Sequence, residues 1–146
     1  MLLPSPNKAW KVVCVVSTLT LMNISQAIAD VAVVVHPTND STFDQSTIKK
    51  IFLGKSKYFS NGRSAILIST SSSDPATEEF NLKVLGKSNS QVRAYWSKIL
   101  FTGKGTPPQA MDSNLEVLSI ISTNPDSIGF IDASSVTDKV KVVATF

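Results

Sequence analysis

The sequence predicts an α/β fold: a single lobe with a central mixed or parallel sheet flanked by helices. Three observations carry that expectation. Short β-branched or apolar runs (residues 31–35, 65–68, 128–131 and 140–144) alternate with segments whose apolar residues recur at helical spacing. Clusters of Pro, Gly, Asn and Ser punctuate nearly every change of period. The chain, 146 residues long, contains neither an internal repeat nor a linker, so one domain with one core accounts for it.

The amino terminus reads differently from the rest. Lys8 and Lys11 precede the apolar run 12–22, and Ala27-Ile28-Ala29 places small residues where a signal peptidase reads. The run is well short of the roughly 20 residues that a spanning helix needs. Residues 1–29 are therefore expected to be a signal peptide, cleaved between Ala29 and Asp30, and residues 30–146 the working domain. Cleavage removes Cys14, the only cysteine, and leaves neither a disulfide nor a thiol nucleophile. The whole chain carries 14 Lys+Arg against 11 Asp+Glu, and loss of the two signal lysines leaves it almost neutral. No basic block occurs, so nucleic acid is not an expected partner.

Taken in order, residues 31–35 are a β-branched run ended by His36-Pro37-Thr38-Asn39-Asp40, as a buried strand entering a turn would be. Ser41 or Thr42 is expected to cap a helix reaching Leu53, with Phe43, Ile48, Ile51 and Phe52 as its apolar face and Gly54 as its stop. A loop over 56–63 turns at Asn61-Gly62 and leads to the strand 65–68. Asp74-Pro75 is a helix start, a carboxylate cap followed by proline at the first helical position. Phe80, Val84 and Leu85 give that helix its face. After Gly86 a helix is expected over 90–100, with Val92, Tyr95, Trp96 and Ile99 at helical spacing. Residues 102–108 break it. A further helix covers 114–122, and Asn124-Pro125-Asp126 turns the chain into the strand 128–131, with a last strand over 140–144.

Candidate binding residues follow from that order. The polar run 69–73 and the turn at Thr38-Asn39 each follow a strand and precede a helix, where open α/β sheets collect ligands. Hydroxyls and turn N–H groups can hold an oxyanion without a full charge. Thr38, Asn39, Ser71, Ser72 and Ser73 are accordingly the candidate anion site. His36 is the only histidine, so no metal site is expected. There is no G-x-S-x-G and no pair of carboxylates with a partner, so neither catalytic residues, nor a cofactor, nor enzyme activity is expected. Tyr95, Trp96 and Phe101 read as core and lid residues closing one end of the lobe, and Lys104 as a solvated charge.

Three segments carry a resemblance: Ile51-Phe52-Leu53-Gly54-Lys55, Tyr95-Trp96 with the following Phe101-Thr102-Gly103-Lys104-Gly105-Thr106-Pro107-Pro108, and Asn124-Pro125-x-x-Ile128-Gly129-Phe130. In that order they resemble the phosphate-binding proteins of bacterial ABC transporters, and more closely their short, single-lobe relatives. The resemblance covers residues 30–146 and implies a periplasmic-binding-protein-like lobe in the periplasm of a Gram-negative cell. It implies phosphate or another small oxyanion as ligand, a membrane permease as recipient, and a second lobe, from a homodimer or another partner, to close the site. The full-length proteins hold the oxyanion with backbone N–H groups, hydroxyls and an arginine. Anchored on Phe80, their Ser-Gly-Thr falls on Asp74, Pro75 and Ala76, and the arginine on Thr70. The arginine of the short relatives falls on Thr77. These departures support the alternative of a protein-interaction or sensor module that keeps the fold without the ligand.

Overall fold

The computed structural model describes Leu2 and residues 30–146. The signal-peptide reading of residues 1–29 lies outside the described residues. No helix among those described is long and apolar enough to cross a membrane.

Five strands form one mixed sheet: β1 (Val31–Val35), β2 (Ile66–Thr70), β3 (Gln109–Met111), β4 (Ser127–Asp132) and β5 (Lys141–Thr145), in the spatial order β3-β2-β4-β1-β5. β2 runs parallel to β3 and β4, whereas β1 runs antiparallel to both β4 and β5. β1 is thus the single reversed strand. All five of its residues are at most 1% exposed, because both of its edges are paired and both of its faces are covered. A near-continuous Val run is what such a strand requires, and each buried side chain contributes about 1.5–3 kcal/mol.

Helices α1 (Gln45–Phe52), α2 (Pro75–Phe80), α3 (Asn89–Phe101) and α4 (Asn114–Thr123) flank the sheet. Val31, Val33 and Val35 face α1 and α2 in one core cluster, and Ala32 and Val34 face α4 in the other. In the larger cluster the rings of Phe80 and Phe130 stack at 4.1 Å between centroids, and Phe52 meets Phe80 edge-on at 4.7 Å. The helix expected from Asp74 to Leu85 is α-helical only through Phe80. A π-helical turn, Asn81–Leu85, completes it and still buries Val84 and Leu85.

Several boundaries differ from expectation for local reasons. α1 is capped by Asp44 rather than Ser41 or Thr42: its Oδ1 accepts the Thr47 N–H at 2.6 Å, while Thr42 donates its own N–H to Ser60 Oγ. Hydrogen bonding to Thr47 holds the Asp44 carboxyl below the ordinary carboxylate range. β2 begins at Ile66 and continues through Thr70, so two residues assigned to the polar loop are strand. β3 is a strand that periodicity could not show, three residues at a sheet edge paired only to β2.

Gly129 sets the distance between α4 and the sheet. A Cβ there would stand 3.0 Å from the Ile68 carbonyl oxygen, 3.2 Å from Val117 Cγ1 and 3.3 Å from Ile121 Cδ1. Two of those atoms are branched core side chains and one is backbone, so none moves cheaply. Gly129→Ala is therefore expected to destabilise the fold by about 1–3 kcal/mol. Urea unfolding would show this as a lower midpoint with an unchanged slope, and a midpoint equal to the parent's would contradict this packing.

Candidate functional site

The parallel strands β2, β3 and β4 and the edge strand β5 all end at the same side of the lobe. The reversed β1 ends at the other. Pairing of Val35 with Ile128 and of Val31 with Asp132 puts the turn after β1 level with the start of β4. Thr38 and Asn39 are consequently at the opposite end of the sheet from Ser71, Ser72 and Ser73. The two stretches do not make one site, because the rule that gathers loops at strand carboxyl ends holds only for strands of one direction. Thr38 and Asn39 instead build a local turn. Thr38 bonds the His36 ring through its hydroxyl at 2.8 Å, and the Asn39 side-chain oxygen accepts the Ser41 N–H at 3.0 Å.

The serine loop does reach a cleft. It lies between α2, α3 and the Pro107-Pro108 segment, running from the carboxyl end of β2 to the amino end of β3, and encloses about 400 Å³. Ser72 lines it; Ser71 and Ser73 bond each other at 2.9 Å. The other polar groups along the wall are largely partnered among themselves. Asn81 Nδ2 donates to Asn89 Oδ1 at 2.8 Å, and Asn89 Nδ2 donates to the Ser72 carbonyl at 3.3 Å. Asp74 caps α2 by accepting the Ala76 N–H at 2.8 Å.

Thr70 and Thr77 also line the cleft, and they form a buried hydroxyl pair at 2.8 Å. Thr77 Oγ1 lies 3.2 Å from the Thr70 carbonyl as well. These are the positions where the sequence resemblance places arginines. The pair is neutral, self-satisfied and at most 8% exposed.

A cation enters from the helix expected over 90–100, at a residue that sequence reasoning did not single out. Arg93 of α3 lines the same cleft, one turn after Asn89 and one turn before Trp96. No carboxylate lines the cleft, and among the described residues Arg93 has no carboxylate within ion-pair distance. It is exposed at the rim of the cleft, and its helical spacing from Asn89 and Trp96 puts the three on one side of α3.

α3 itself is held by few contacts. Trp96 is its one fully buried residue and lies against Gly54, where a Cβ would stand 3.0 Å from the indole. Gly54 adopts φ +68°, in the left-handed region that favours glycine. The neighbouring Tyr95 hydroxyl donates to the Leu53 carbonyl at 2.6 Å. The IFLGK and YW segments are therefore one structural joint, and Tyr95 and Trp96 have the core role expected of them. Phe101 does not: it is 93% exposed at the end of α3. On the far side of Trp96 a second cleft of about 660 Å³ runs towards the start of β2, with Lys55, Lys57 and Lys104 along it.

No family model matches the chain, and no curated protein matches it in sequence. Solved structures do match its fold. A crystal structure of an ABC-type phosphate transport receptor from Vibrio cholerae is 17% identical with a TM-score of 0.59, covering 80% of this chain and 46% of that one. A Clostridium perfringens protein described as a phosphate ABC transporter substrate-binding protein, solved with bound phosphate, is 20% identical with a TM-score of 0.59, covering 80% of this chain and 45% of that one. PstS from Borrelia burgdorferi is 17% identical with a TM-score of 0.54, covering 80% of this chain and 47% of that one. The chain thus spans less than half the length of each, as a single periplasmic-binding-protein-like lobe does.

The hydroxyl pair offers a test of the site's construction. Thr77→Val removes the side-chain partner of the Thr70 hydroxyl and is expected to cost about 1–3 kcal/mol, the penalty of a buried unsatisfied group. The double variant Thr70→Val/Thr77→Val is expected to recover most of that loss, because both polar groups are then gone. A double variant as unstable as the sum of its parts, by thermal unfolding, would show that the pair does not act as a unit.

Proposed function

We propose that this chain is an exported solute-binding lobe that takes phosphate or another small oxyanion for an ABC-type transport system. The observation that carries the reading is Arg93: an unpaired guanidinium on the wall of a cleft that reaches the carboxyl end of β2, in company with Ser72 and Asn89. In this reading Arg93 takes the part that Thr70 and Thr77 cannot, and supplies it from α3. An arginine–oxyanion contact is charge-assisted and contributes about 1.5–3 kcal/mol. Ser72 adds a hydroxyl, while Ser71 and Ser73 shape the loop that presents it. Binding is non-covalent, and the chain performs no catalysis.

One open cleft buries less of its ligand than a site closed between two lobes, so affinity is modest unless a partner supplies the other wall. A second copy of the chain is the simplest such wall. The ligand then passes to a membrane permease, and the place of work is the periplasm. The fold likeness to phosphate-binding receptors supports this reading.

A second reading, a protein-interaction or sensor module, is favoured by a different observation. Phe101 is 93% exposed and Leu100 51% exposed at the end of α3, apolar surface suited to a protein partner.

Calorimetric titration separates the two. Saturable phosphate binding is expected, weakened at least tenfold by Arg93→Gln with an unchanged melting temperature, and weakened less by Ser72→Ala. Silence to phosphate and sulfate at millimolar concentration would remove the transport reading and leave the partner-binding one.

A further inference from the structure

The cleft that holds Arg93 is segregated along its length. Polar groups gather near the amino-terminal end of α3, where Ser72, Asn89 and Arg93 lie together. Beyond them the same helix face continues as Trp96 and Leu100, facing Pro107 and Pro108. At about 1.5 Å per residue, the seven residues from Arg93 to Leu100 separate the two ends by about 10 Å. The end with Arg93 carries the one cation, and the far end is mostly apolar, with Ser97 its one polar side chain.

From this we infer that the ligand is an amphipathic small anion: a phosphate or carboxylate head carrying an aromatic or branched apolar body. The inference rests on the cleft being the ligand seat, and it deepens that reading by naming the class of molecule. A bare tetrahedral oxyanion occupies only the Arg93 end. It leaves the Trp96–Leu100–Pro108 wall wetted, and nothing about that wall contributes to holding it. A cleft of about 400 Å³ with its one cation towards one end and a largely apolar wall of Trp96, Leu100, Pro107 and Pro108 is instead proportioned for an organic ligand. Charge complementarity sets the head group: one guanidinium and no carboxylate along the cleft select a single anionic group. Apolar burial sets the body, since transfer of a ring from water onto Trp96, Leu100 and the two prolines is favourable in proportion to the area covered.

The test compares inorganic phosphate, phenyl phosphate and benzyl alcohol by calorimetry on the full chain and on Leu100→Ser. Leu100 is 51% exposed, so the substitution removes cleft surface with little effect on folding, which a melting curve verifies. Phenyl phosphate is expected to bind at least tenfold more tightly than inorganic phosphate. Leu100→Ser is expected to erase most of that advantage while leaving inorganic phosphate unchanged. Equal affinity for the two phosphates overturns the amphipathic ligand and leaves the oxyanion reading standing. A phenyl phosphate advantage indifferent to Leu100→Ser overturns it too, because the body then sits elsewhere. Benzyl alcohol binding as tightly as phenyl phosphate overturns the anionic head, and no binding by any probe overturns the seat itself.

Discussion

A reversed, fully buried strand governs the rest of this lobe. β1 lies between β4 and β5, antiparallel to both, with five residues at most 1% exposed. Its two faces nucleate the two halves of the core, so α1 and α2 pack on one side and α4 on the other. Its direction also sorts the loops. Everything that leaves β2, β3 and β4 emerges at one end, and the turn through Thr38 and Asn39 emerges at the other. The cleft lies along β2 and β3 under α3, lined by Thr70 at the carboxyl end of β2, Ser72 just beyond it, and Pro107-Pro108 leading into the amino end of β3.

The cleft has a neutral base and carries its charge on α3. A buried arginine at the Thr70 or Thr77 position would need a permanent counter-charge or a ligand to offset its desolvation, several kcal/mol per ion. Two threonines bonded to each other at 2.8 Å need neither. The base of the cleft is thereby neutral and stable when empty. Arg93, exposed on α3, keeps its hydration until something anionic arrives, so holding it costs the fold little. On the proposed reading, electrostatic attraction for an anion would come from a surface side chain rather than from the buried base.

Much of this was legible in the residues. The Val run announced β1, Asp74-Pro75 announced the start of α2, and the helical spacing of Val92, Tyr95, Trp96 and Ile99 announced α3. What was not legible has specific causes. Strand direction leaves no mark on composition, so Thr38 and Asn39 were grouped with a serine loop that the sheet holds at its other end. β3 is three residues long and mostly exposed, too short for alternation to register. Arg93 reads in sequence as an ordinary exposed helix residue. Only the packing of Trp96 on Gly54 determines which way that helix face turns. Phe101 was expected among the core and lid residues, yet it is the last residue of α3 and stands 93% exposed.

The attachment of α3 joins fold and site in one device. Trp96 is the only fully buried residue of thirteen in the helix, and it is gripped by a glycine that tolerates no side chain. With the Tyr95 hydroxyl on the Leu53 carbonyl, it forms a pivot between two clefts, one bearing Arg93 and the other bearing three lysines. α3 is tied to the lobe at both this joint and its amino-terminal end, where Asn89 bonds Asn81 and the Ser72 carbonyl and Val92 packs against the core. The IFLGK and YW segments thus fix how the helix sits, and the helix carries Arg93 on the wall of the cleft.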